Sequence, residues 1–95
     1  MAAVVGILQF TVMIRGSYSL KDKRRVVRSI KDRLRHRHNV SLAEVDAHEI
    51  LNQAVLGIAM MGSDSKYVEA GLRKILDQLR MHPEAELIDH SLEII

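Results

Sequence analysis

Two amphipathic helical stretches set among β-branched runs, in the order strand–helix–strand–strand–helix–strand, predict an α+β fold. Two split βαβ units with right-handed crossovers give a ferredoxin-like βαββαβ sandwich. Its four-stranded antiparallel sheet carries two helices on one face. The size agrees, because 95 residues bury about 65% of their unfolded surface, enough for one core. A hydrophobic fraction of 47% and a charged fraction of 27% fit one folded domain over residues 1–95 rather than a disordered chain. Cysteine is absent, which excludes disulfides and thiolate chemistry.

The first strand is the β-branched run from Val4 to Ile14, closed by Arg15, Gly16 and Ser17. Ser19 followed by Asp22 is a capping-box-like start for a helix from Leu20 to about His38. Leu20, Val27, Ile30 and Leu34 fall within about 80° of one another on a helical wheel and form its apolar stripe. Asn39 to Asp46 reads as a second strand in which Val45 breaks the parity of Val40 and Leu42, the signature of a bulge. Leu51 to Met61 forms the third strand. Gly62, Ser63 and Asp64 then supply a turn and an N-cap for a second helix to about Met81. Val68, Leu72, Ile75, Leu76 and Leu79 make the inward stripe of that helix. Pro83 closes it, and Glu86 to Ile94 is the last strand.

Helices on one side leave the other sheet face open. By alternation Val5, Ile7, Gln9, Thr11 and Met13, with Val55, Gly57, Ala59 and Met61, line that face. It is too apolar for solvent throughout, so a homodimer through the sheet face or an edge is expected. The apolar N-terminal run lacks a basic leader and is shorter than the roughly 20 residues of a spanning helix. A cytoplasmic protein with no membrane partner is expected.

The net charge of +2 conceals a segregation. Residues 1–14 carry no charged side chain. Residues 15–38 hold ten cations against Asp22 and Asp32, whereas residues 39–95 hold four cations against ten carboxylates. Within the first helix Lys21, Arg24, Arg25, Arg28, Lys31 and Arg35 share about 120° of arc, with only Asp32 inside it to neutralise them, and Lys21 to Arg35 spans roughly 21 Å. Such a stripe suits a phosphate backbone, because each guanidinium offers a forked pair of donors. The competing reading is a solvated face paired with the acidic half of the chain, and a third is an acidic protein partner. Phe10 is the only Phe and Trp is absent, so base stacking on the sheet is not expected and binding would be electrostatic.

A second candidate is the loop before this helix, where Ser17, Ser19 and Lys23 form a candidate anion site at a helix N-terminus. Lys23 lies near the apolar stripe on the wheel. Either its stem snorkels along the core edge, or its amine reaches a carboxylate or ligand. Gly16 is isolated, so no phosphate loop is present. Asp46, His48 and Glu49 suggest a metal or acid–base site, but three such residues in four positions are common, and no metal or other cofactor is expected. His90 beside Asp89 on the last strand is the one further candidate to join them. His36 and His38 lie about 200° apart on the helix and add pH-dependent charge to its end. No segment resembles a nucleophile elbow, so no catalytic residue is assigned.

Ser19 to Val27 (SLKDKRRVV), Asn39 to Asp46 (NVSLAEVD) and Ala54 to Ala59 (AVLGIA) resemble, in order and spacing, segments of the YlxP-like family of small bacterial proteins of unknown function. The resemblance covers residues 4–62. It implies a ferredoxin-like fold and genes that often lie near those for transcription elongation, translation initiation and ribosome maturation. It implies no biochemical activity. The chain departs from the family at Ala47, Leu51 and Gln53, where His, Trp and Arg are common.

The reading that results is a non-enzymatic accessory of RNA or ribosome metabolism, docking phosphates on Lys21, Arg24, Arg25, Arg28, Lys31 and Arg35. The alternative is a small-ligand or protein-interaction module using the sheet face and the loop at 15–23. A hydrolase built on Asp46, His48 and Glu49 is the third.

Overall fold

The computed structural model describes residues 2–95. The elements follow in the order β1 (Val4–Ile14), α1 (Leu20–Arg37), β2 (Ser41–Asp46), β3 (Gln53–Gly62), α2 (Ser65–Arg80) and β4 (Ala85–Ile94). The sheet runs β2-β3-β1-β4, and every neighbouring pair is antiparallel. This is the ferredoxin-like sandwich. α1 lies over the β2–β3 half and α2 mainly over β1 and β4.

β1 supplies the centre of the core. Leu8, Phe10, Val12 and Ile14 all point inward and are at most 2% exposed. They meet Leu56, Ile58 and Ala54 of β3 across the ladder and the apolar stripes of both helices from above. The α2 stripe is buried as expected, from Val68 to Leu79. α2 approaches β1 so closely that Gly6 has no room for a side chain. A Cβ there would sit 2.5 Å from Val68 Cγ1 and 2.6 Å from Leu72 Cδ1.

Two irregularities shape the edges. The β2–β3 register shifts between Glu44 and Asp46, which places the bulge at Val45. A second shift opposite Thr11 and Val12 falls in β4, where the inward parity changes from Ala85 and Leu87 to Leu92 and Ile94. β2 begins at Ser41 rather than Asn39, because Arg37 ends α1 and His38 caps it through its N–H to the Leu34 carbonyl. The turn from β2 to β3 carries Ala47 at φ +60°, a left-handed conformation that a non-glycine residue adopts at some cost. Gly16, at φ +68°, makes the corresponding turn after β1.

Candidate nucleic-acid interface

The capping of α1 fixes which face it turns outward. Ser19 Oγ accepts the Asp22 N–H at 3.1 Å, and the Asp22 carboxylate accepts the Tyr18 N–H at 3.2 Å. This is a capping box displaced by one residue on its return bond. Val26, Val27, Ile30 and Leu34 are buried, whereas Leu20 is only half-buried. The apolar stripe is therefore turned toward Val26 relative to the stripe read from the sequence. Leu20 lies in the first turn of the helix, and Val26 joins the core cluster in its place.

That rotation leaves the basic arc facing solvent. Lys21, Arg24, Arg28 and Arg35 are exposed, and Lys31 is half-buried. Among the described residues Lys21, Arg24, Arg28, Lys31 and Arg35 form no ion pair. Arg35 makes one long contact, 3.4 Å, to the Leu42 carbonyl. Arg25 differs. Its guanidinium grips both carboxylate oxygens of Glu84, at 2.7 and 3.3 Å. The hydrogen bond to Arg25 holds the Glu84 carboxyl below its usual range. The competing reading, a face paired with the acidic half of the chain, thus describes Arg25 and not the rest of the arc. Five of the ten carboxylates of residues 39–95, namely Glu69, Asp77, Glu86, Asp89 and Glu93, lie on α2 and β4.

The loop before α1 is organised around protein acceptors. Ser17 Oγ donates to the Leu51 carbonyl, and Ser19 Oγ is occupied as the N-cap. Lys23 is 2% exposed and sits at the centre of the buried stripe. Its Nζ lies 2.7 Å from the Ala47 carbonyl, 3.4 Å from that of His48 and 3.0 Å from Glu44 Oε2. The two carbonyls accept hydrogen bonds from the ammonium, and the carboxylate pairs with it by charge. Of the two fates open to the lysine, its amine reaches a carboxylate. What the loop does physically is pin the β2–β3 turn to the start of α1.

The acidic residues of that turn are likewise engaged locally. Asp46 accepts the Ala47 N–H at 2.7 Å, and a His48 ring nitrogen lies 3.2 Å from the Glu44 carbonyl. No group of three or more His, Asp or Glu side chains among the described residues is placed to hold a metal ion. His90 does not join them: β2 and β4 are opposite edges of the sheet, so about 14 Å of intervening strands separates them.

Three residues that sequence reasoning left aside stand together on the other flank of α1. Arg33 and Arg37 line a cleft between α1 and α2 with His82. His82 is 7% exposed, and its Nδ1 accepts the Glu84 N–H at 3.1 Å. Burial, reinforced by the Arg33 guanidinium, holds its imidazole below the ordinary range, with Glu84 pulling weakly the other way. The available signal was the pair of arginines four apart, which borders the apolar stripe instead of opposing it.

The open sheet face exposes Ile7, Met13 and Met61. No described helix is long and apolar enough to cross a membrane.

Comparison with known proteins bears on the whole of this arrangement. A family model described as a protein of unknown function, DUF503, matches residues 5–92, from β1 almost to the end of β4. The chain belongs to the DUF503 family. It is also 29% identical over 83 residues to the uncharacterized protein YlxP of Bacillus subtilis (strain 168), covering 87% of this chain and 90% of that protein. The YlxP-like resemblance read from three motifs therefore extends through α2 and β4. Ala47 and Leu51 fall on the β2–β3 turn and Gln53 is the first residue of β3, the segment that Lys23 and Ser17 hold.

Proposed function

We propose that this protein is a non-enzymatic RNA-binding accessory, associated with ribosomal particles, that docks the phosphate backbone on the outer face of α1. The observation that carries the reading is the unpaired state of the arc. Lys21, Arg24, Arg28, Lys31 and Arg35 project from one rigid helix without a carboxylate partner among the described residues. Neighbouring cations on a helix repel one another, and a polyanion relieves that repulsion while releasing its own counterions. The gene neighbourhood implied by the family resemblance points the same way. The sheet face lacks an aromatic platform, so recognition rests on charge and shape rather than on bases.

Reversing Arg24, Arg28 and Arg35 to Glu tests the reading by co-sedimentation with ribosomal particles at low salt. Loss of binding with an unchanged circular-dichroism spectrum is expected, and retained binding rejects it. A homodimer belongs to the same reading, with a second copy over Ile7, Met13 and Met61. Sedimentation velocity of the Ile7→Glu variant, expected to be monomeric, checks it.

A further inference from the structure

We propose that the cleft between α1 and α2 binds a phosphate monoester carrying a planar or apolar body, the chemistry of a mononucleotide. The cleft measures about 500 Å³, within the roughly 300–1,000 Å³ typical of small-ligand sites. Ile30, Leu34 and Leu79 form its apolar lining, and Arg33, Arg37 and His82 are its donors. The proposal is independent of the outer face of α1, because Arg33 and Arg37 leave the helix on the flank opposite Lys31 and Arg35.

The histidine points to a ligand. Its Nδ1 accepts the Glu84 N–H, so Nδ1 carries a lone pair and the proton of the neutral ring resides on Nε2. Nε2 is buried and has no hydrogen-bond partner. A buried N–H without an acceptor is a cost that folded proteins rarely leave standing. An oxygen entering the cleft satisfies it. The ring cannot meet this need by flipping, because the Glu84 N–H would then lose its acceptor.

The charge of the cleft selects an anion. Arg33 and Arg37 have no ion-pair partner among the described residues. Glu84, the carboxylate that follows His82, has both oxygens on Arg25. The amide of Gln78 is engaged by His38 at 2.8 Å. Two guanidinium groups and one imidazole N–H match the charge and the three terminal oxygens of a phosphate dianion. A carboxylate would leave one guanidinium uncompensated. The apolar lining then takes the rest of the ligand, which bare phosphate does not possess.

Titration of the full chain by NMR tests this, with phenyl phosphate, AMP and inorganic phosphate as probes. The long-range imidazole spectrum of His82 should show the Nε2–H tautomer, and phenyl phosphate should shift it together with the Arg33 and Arg37 side-chain signals. Phenyl phosphate and AMP should bind at least tenfold more tightly than inorganic phosphate. Arg33→Gln and Arg37→Gln should each weaken phenyl phosphate by tenfold or more, while Arg24→Glu leaves it unchanged. His82→Phe, which keeps the ring and removes the donor, should weaken it without loss of fold. Two tetranucleotides, one 5′-phosphorylated and one with a 5′-hydroxyl, separate the sources. Displacement of phenyl phosphate by the phosphorylated strand alone assigns an RNA end, and displacement only by AMP assigns a free nucleotide. Shifts confined to Lys21–Arg28, equal affinity for inorganic phosphate, or no displacement by either source overturns the proposal.

Discussion

The Lys23 ammonium lies 3.0 Å from Glu44 Oε2, with 3% of the lysine side chain and 20% of the glutamate exposed. A cation placed at the centre of a helix's buried stripe thereby joins α1 to β2 and, through the Ala47 and His48 carbonyls, to the strained turn that follows. Glu44 Oε2 makes no aligned hydrogen bond, so the contact is one of charge. Removing either partner strands the other in a poorly solvated place.

Lys23→Met should therefore destabilise the protein by about 3 kcal/mol, the low end for a buried pair because Glu44 retains some solvent. Lys23→Met combined with Glu44→Leu should recover most of that loss. Urea denaturation of both variants measures it; equal losses in the two would show that the carbonyl contacts, not the ion pair, carry the energy.

Gly6 tests the seating of α2 on β1. Gly6→Ala should cost about 1–3 kcal/mol by overpacking, since its new methyl group would meet Val68 Cγ1 at 2.5 Å. Leu72→Val or Val68→Ala in the same background should return part of it, and a thermal melt reads both.

His82 gives stability a pH dependence of definite sign. Burial depresses its folded-state pKa, so below its ordinary value, about 6.5, the unfolded chain takes up a proton that the folded chain refuses. Its stability contribution is complete above that pH and declines as the pH falls through it. The urea midpoint should rise between pH 5 and 7.5, and His82→Phe should flatten the rise. An unchanged slope in the variant would assign the dependence to other groups.

Glu84 limits the basic arc by holding Arg25. Five free cations on a single strand correspond to a log–log salt slope of about −3.5. Glu84→Gln releases Arg25 and should steepen that slope by about 0.7 while tightening binding. Fluorescence anisotropy with polyuridylate across a salt series measures both. A slope unaffected by Glu84→Gln would remove Arg25 from the interface.

Strand and helix periodicity made the element order and the inward residues of β1, β3 and α2 readable before any coordinate, including the bulge at Val45. Those features depend on neighbours a few residues apart, which a linear pattern records. The bulge in β4 leaves a similar trace, because the inward parity of Ala85 and Leu87 gives way to that of Leu92 and Ile94, but the polar run Asp89-His90-Ser91 between them hides where the shift falls. The basic arc was equally legible, since one helix carries all of it.

Which of those cations are free was decided by the fold. Arg25 and Glu84 are 59 residues apart, and only the packing of β4's leading turn beside α1 makes them a pair. Lys23 belongs to Glu44, rather than to solvent, because β2 crosses beneath the helix. His82 meets Arg33 and Arg37 because the two helices share one face of the sheet. Local sequence set each side chain's direction from its own helix or strand; the antiparallel stacking of two distant βαβ units set what each one faces, and electrostatics acts over that distance alone.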